Sequence, residues 1–239
     1  MDVASGLAFA GAEEGTVVVA DEQTAGRGRR GSRWVSPPGG SLYLSVILRP
    51  GGSPESAQGL SFAAAVAVAD CLNSSYELPA RLKWPNDILI GEKKIAGVLV
   101  EALLRPGGGL EAAIVGIGLN VNWSEIPPEI RHEATCMSIE LEGEVDLPSC
   151  MDGLLRSLEE AYDGFRAGGL IATLTGWRRY DCTIGSQVKL LNEDGRTLVG
   201  TAVDVTPYGA LVVETAGGYK VVVHAGQVQM TSMTHEPCP

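Results

Sequence analysis

The sequence predicts an α+β domain followed by a small all-β unit, and three observations carry that prediction. Residues 54–73 form an Ala-rich apolar stretch without period-2 alternation, which marks a buried helix. Two apolar runs, IAGVLVEALL and LEAAIVGIGLNVN, flank PGGG at Pro106–Gly109 and read as an antiparallel hairpin. From Gly185 to Met230 short apolar runs alternate with tight turns.

In chain order, Asp2–Glu14 reads as a short helix and Thr16–Ala20 as a strand. A loop rich in Gly and Arg follows, then PPGG and an apolar strand at Ser41–Leu48. The Pro54–Asn73 helix leads to KWPND at Lys83–Asp87, a short apolar piece (ILI), a GEKK turn and the hairpin. Met151, Leu154, Leu155, Leu158, Tyr162 and Phe165 recur at helical spacing, and Gly168-Gly169 is expected to stop that helix. The last unit runs QVKLL, NEDG, TLVGTAVDV, TPYG, ALVVET, AGG and YKVVVH, which predicts a five-stranded barrel. The boundary falls near Tyr180, giving domains 1–180 and 181–239.

Composition narrows the function. With 45% hydrophobic and 20% charged residues the chain is of ordinary globular type. Its 18 Lys and Arg against 29 Asp and Glu leave a net charge of −11, which disfavours binding to nucleic acid phosphates. The five cysteines lack a C-x-x-C pair and the three histidines lack ligand spacing, so neither a disulfide framework nor a transition-metal site is expected. The N-terminus lacks a basic segment before its apolar residues, and Phe62–Ala69 is too short to span a bilayer. The expectation is a reduced, cytoplasmic protein with no membrane or nucleic-acid partner.

Gly26, Gly28 and Gly31 fit the G-x-G-x-x-G spacing of a dinucleotide-binding loop. That loop needs a strand directly before it and a helix directly after it. Here the strand ends near Ala20, SRWVSPPGG follows, and no acid stands about 20 residues on to take a ribose hydroxyl. The Rossmann reading fails. The non-glycine residues are more informative, because Arg27, Arg29, Arg30 and Arg33 fall within one short stretch of an acidic chain. Such a loop is either a solvated basic surface or an anion clamp, since guanidinium grips carboxylate and phosphate through two bonds. Trp34 beside it offers a stacking face for a planar ring and favours the clamp.

With GRGRRGSRW (Gly26–Trp34), KWPNDILI (Lys83–Ile90), KKIAGVLVE (Lys93–Glu101), GIGLNVN (Gly116–Asn122) and EATCMSIE (Glu133–Glu140) in this order, the chain resembles biotin–protein ligases. The resemblance implies a mixed sheet with flanking helices, as in class II aminoacyl-tRNA synthetases, followed by an SH3-like β-barrel. It implies ATP and Mg²⁺ acting with biotin as substrate, without a tightly bound prosthetic group. Biotin's carboxylate would attack the α-phosphorus of ATP to give biotinyl-adenylate and pyrophosphate. A lysine of a biotin carboxyl carrier protein would then displace AMP.

The residues suit that chemistry. Joining a carboxylate to a polyphosphate brings like charges together, and a cation about 4 Å from an anionic oxygen offsets on the order of 4 kcal/mol before desolvation. By the resemblance, Arg27, Arg29 and Lys94 bind biotin's carboxylate, the α-phosphate and the adenylate, with Arg29 retaining the intermediate. Lys94, not Lys93, stands directly before the apolar-Ala-Gly triplet. Gln23 and Gly26 match positions lining the biotin ring, and Gly97 lets backbone approach the ligand. Trp34 matches the residue packing near adenine, while Trp84 reads as core. Asn86 and Asp87 match the pair near the phosphates and Mg²⁺, and Asp87 could also orient the incoming lysine. Asn120 matches a nucleotide-binding position or is a turn former.

Ser32 stands where many relatives have arginine, so a looser clamp is expected. Relatives carry a strand and a Ser-Thr-Asn segment before the first helix that contact biotin, and this sequence starts about where that segment ends. Either the start is assigned too late or the biotin pocket lacks part of its wall, and a monofunctional ligase without the winged-helix domain of repressor relatives is expected. A hairpin edge could support a homodimer, as in some relatives. A lipoate–protein ligase and a non-catalytic biotin- or carrier-binding module are the alternatives.

Overall fold

The computed structural model describes residues 1–54, 56–191 and 197–232. The NEDG turn, His235 and Cys238 lie outside the described residues.

Helix α1 (Asp2–Phe9) buries Ala4 and Ala8, one turn apart, and ends short of Glu14. Gly11 turns left-handed at φ 89°, and the Arg49 guanidinium takes the carbonyls of Ala8 and Ala12 that a longer helix would have used itself. Strands β1 (Val17–Ala20) and β2 (Ser41–Leu48) follow, then helix α2 (Ser56–Tyr76). KWPND contributes to two strands, β3 (Ala80–Lys83) and β4 (Asp87–Ile90), paired about its turn; β3 is an element the periodicity did not mark. The hairpin appears as β5 (Lys93–Leu104) and β6 (Leu110–Asn120), closed where Arg105 and Gly109 exchange a backbone bond.

A short helix, α3 (Met137–Glu140), precedes the long α4 (Leu147–Tyr180). Asp146 caps α4 by accepting the Ser149 N–H. The expected stop at Gly168-Gly169 is corrected to a kink. Gly169 breaks the helical backbone at φ 63°, ψ −164°, and the chain resumes a helix at once. That second half buries Leu174 and Trp177, and Trp177 meets Phe62 of α2 edge-on at 5.5 Å. The apolar payload of the second half explains why two glycines do not end it.

The large sheet has the order β1-β2-β6-β5-β4-β3. Every strand pair in it is antiparallel, which corrects the mixed sheet; the parallel contacts are isolated bridges, Leu82 with Asp181 and Lys94 with Ala134. The last unit is a second antiparallel sheet of β7 (Gln187–Leu191), β8 (Thr197–Val205), β9 (Leu211–Glu214), β10 (Lys220–Val223) and β11 (Gln227–Ser232). Its order is β10-β9-β8-β7-β11, and among the described residues its end strands are not paired to close a barrel.

Residues of alternate parity line the two faces of the large sheet. Leu42, Leu44, Val46, Val115, Ile117 and Leu119 join α2 and α4 in the main core. The opposite face carries Ile47, Ala112 and Ile114 beneath α1. Further along this face, side chains shrink to Ser45, Gly97, Gly116 and Gly118, and there the sheet leaves room for a cavity.

Candidate active site

A cavity of about 660 Å³ opens on this depleted face. Its floor is the middle of β2, β5 and β6, its lid is the Gly/Arg loop, and its rim includes Asn86, Asp87 and, from the C-terminal sheet, Gly226–Val228.

The loop folds on itself. Trp34 N–H donates to Gly26 O at 2.9 Å and Gly28 N–H to Ser32 O at 2.7 Å, around a 3₁₀ turn at Arg29–Gly31. A side chain on Gly26 would collide with the Trp34 carbonyl and one on Gly28 with the Ser32 hydroxyl. The glycines serve this turn, not a dinucleotide helix.

Trp34 lies flat on the sheet. Gly97 and Gly118 are cross-strand partners, and a Cβ on Gly118 would sit 2.7 Å from the indole. The indole Nε1 is buried without a hydrogen-bond partner among the described residues. Lys94 Nζ stands 5.1 Å from the ring centroid, within cation–π range.

That ammonium also lies 2.5 Å from Asp87 Oδ1, while Lys83 Nζ lies 3.8 Å from Asp87 Oδ2. The backbone of Lys94 is held by the EATC segment, donating to Glu133 O and accepting from Thr135 N–H. Asn86 donates to Val98 O, and its Oδ1 lies 3.5 Å from an Arg29 nitrogen. Arg29, Asn86, Asp87 and Lys94 thus converge on one end of the cavity.

The remaining expected residues spread more widely. Gln23 and Gly26 form the loop wall, with Gln23 lining the cavity and Gly26 buried behind it. Arg27 lines it too, but its guanidinium pairs with Asp2 at 2.5 Å and faces Glu101 at 3.5 Å. The Arg30 side chain lies outside the described residues. Asn120 does not line the cavity. It is buried at the end of β6, donating to Thr135 O while its own Oδ1 has no hydrogen-bond partner among the described residues, so it supports the segment that holds Lys94. Trp84 is fully buried, as its core reading expected; its indole donates to Gly209 O and its backbone N–H to the Thr183 hydroxyl.

Sequence reasoning missed Gly118, Lys83, the Met1 thioether lying over Gly116, and the C-terminal strand at the rim. Gly118 carried a usable signal, since it stands opposite Gly97 once the hairpin register is drawn.

Among the described residues no three His, Cys, Asp or Glu side chains converge into a metal cage. Asp87 and Asn86 supply the sparse oxygen set that suits magnesium arriving on nucleotide phosphates. No described helix is long and apolar enough to cross a membrane.

Residues 2–120 match the Biotin/lipoate A/B protein ligase family, and residues 183–230 match the Biotin protein ligase C terminal domain. The bifunctional ligase/repressor BirA of Bacillus subtilis is 34% identical over 221 residues, 92% of this chain and 67% of that protein. The biotin–[acetyl-CoA-carboxylase] ligase of Mycobacterium tuberculosis is 36% identical over 220 residues, 90% of this chain and 79% of that protein. The biotin protein ligase of Aquifex aeolicus, solved with biotin and ATP, superposes with a TM-score of 0.81 at 30% identity, covering 95% of this chain and 94% of that one. The chain therefore belongs to the biotin/lipoate A/B protein ligase family. Both of its parts fall on the same branch, that of the biotin protein ligases.

Proposed function

We propose that the cavity joins biotin to AMP and passes the biotinyl group to a lysine of a biotin carboxyl carrier domain. The observation that carries this reading is the convergence of Arg29, Lys94, Asn86 and Asp87 beside an indole lying on a glycine shelf. Cations and a flat aromatic at one cavity end suit a reaction between a carboxylate and a nucleotide.

In this reading biotin lies between the loop wall at Gln23 and Gly26 and the sheet floor at Gly97, and adenine packs near Trp34. Arg27 and Lys94 exchange their protein carboxylates for ligand anions. Arg29 holds the α-phosphate and then the adenylate. Asn86 and Asp87 would hold the magnesium carried by the phosphates, which supplies further charge neutralisation. Released by Lys94, Asp87 orients the carrier lysine, whose ordinary pKa near 10.4 leaves little free amine at neutral pH. Asn120 acts on the nucleotide end through Thr135 and Lys94.

The division at 180/181 separates a catalytic part from an SH3-like part that contributes a rim to the site. The hairpin strands expected to offer a dimer edge lie inside the sheet, β6 beside β2 and β5 beside β4. Leu82 of β3 is bridged to Asp181, so β1 is the outer strand along which a second copy could pair. Relatives named as biotin ligases, the Mycobacterium tuberculosis enzyme at 36% identity and the Aquifex aeolicus enzyme at 30%, support biotin over lipoate.

An intact-mass assay tests the reading. With biotin, MgATP and an unmodified carrier domain, the carrier gains one biotin; with lipoic acid instead it gains nothing. A carrier that stays unmodified with biotin, or gains lipoyl, overturns the reading.

A further inference from the structure

Lys83 lines the cavity, yet no role above uses it. We infer that Lys83 binds the pyrophosphate portion of ATP, the leaving group of the first step. The inference rests on the ligase reading of this cavity.

Position comes first. Lys83 is the cross-strand partner of Asp87, so its backbone is fixed by the register of β3 on β4. The next residue, Trp84, is tied by its backbone and indole N–H groups to Thr183 and Gly209. Lys83 therefore stands on a rigid element where the large sheet meets the C-terminal unit.

Charge comes second. The Lys83 ammonium lies 3.8 Å from Asp87 Oδ2, outside hydrogen-bond range, and makes no hydrogen bond among the described residues. Asp87 is already engaged by Lys94 at 2.5 Å, and Arg27 already faces two carboxylates. One carboxylate between two ammoniums leaves one positive charge over. Its side chain is only 21% exposed, where a charge acts through less water than at the surface.

The chemistry calls for such a cation. As the carboxylate oxygen bonds to the α-phosphorus, the bond from that phosphorus to the bridging oxygen breaks. The bridging oxygen keeps the electron pair and leaves with pyrophosphate, and no proton moves. Lys94, against the Trp34 indole, serves the carboxylate and α-phosphate; Lys83, on the other oxygen of Asp87, serves the charge growing on the leaving group.

Three measurements on the full chain test this. In biotin-dependent ATP–pyrophosphate exchange, Lys83→Met raises the KM for pyrophosphate by roughly tenfold to a hundredfold, and Lys83→Arg recovers most of the loss. Transfer from supplied biotinyl-adenylate to the carrier, which involves no pyrophosphate, stays within about twofold of the parent. Magnesium pyrophosphate raises the Tm of the parent chain and not of K83M. Equal losses in both half-reactions, unchanged exchange, or equal protection of parent and variant overturns the inference, as does absence of protection in the parent. A parent that is protected by pyrophosphate through Lys83 but never biotinylates a carrier fails the ligase reading alone. If K83M does not fold, Lys83→Gln carries the same comparison.

Discussion

The Lys94 ammonium bridges Asp87, 2.5 Å from its Oδ1, and the Trp34 indole, 5.1 Å from the ring centroid. One cation thereby links the KWPND turn to the loop that covers it. Replacing Lys94 with Met removes a charge worth on the order of 4 kcal/mol at contact before desolvation, so adenylate formation should fall by about a hundredfold or more. Biotin-dependent pyrophosphate exchange measures it.

Asp87→Asn separates two roles of the carboxylate. If Asp87 orients the carrier lysine, single-turnover transfer falls far more than exchange does. Equal losses would show that its part is confined to the phosphates, magnesium and Lys94.

Gly118→Ala should displace Trp34, because the new Cβ would stand 2.7 Å from a ring that rests on sheet backbone. The expected result is a KM for ATP raised by about tenfold with Tm changed by only a few degrees, read by steady-state kinetics and thermal melting. Unchanged KM would detach Trp34 from nucleotide binding.

Trp84→Phe strands the Gly209 carbonyl and leaves a void in the core. A loss of about 2 kcal/mol, or on the order of 5 °C in Tm, follows. Calorimetry should show the two sheets still melting together.

Burial pushes the Cys71 and Cys182 thiols up to about 12. At pH 8 roughly one in ten thousand would be thiolate, against about a quarter for a free cysteine. Alkylation of the folded chain at these sites should be negligible at pH 8 and rapid in denaturant, as peptide mapping will read. The sign for stability follows: the folded state keeps protons that the unfolded chain releases from about pH 8.5. This contribution is complete below that pH and is lost as pH rises towards 12.

Much of the fold was legible because its signals are local. The β5–β6 hairpin declared itself by PGGG between apolar runs, and α2 by its small apolar residues. What stayed hidden depends on distant packing. Strand β3 is four residues of mixed polarity, recognisable only through its pairing with β4 and its bridge to Asp181. The helix beyond Gly169 exists because Leu174 and Trp177 find a core, a fact absent from any local window. At the site, motif identity located Arg29, Asp87 and Lys94. It could not reveal that Arg27 holds Asp2, or that Asn120 lies off the cavity and holds the Thr135 carbonyl.

The glycine pair under Trp34 has a wider consequence. Two facing positions that both lack side chains make no side-chain pair across the ladder. The indole of a residue more than sixty positions earlier in the chain finishes their surface. Whenever the loop departs, β5 and β6 lose that borrowed roof and water reaches their backbone. Covering the substrate and sealing the sheet are then one event, and the amide protons of Gly97 and Gly118 should exchange with solvent at a rate that reports how long the loop stays down.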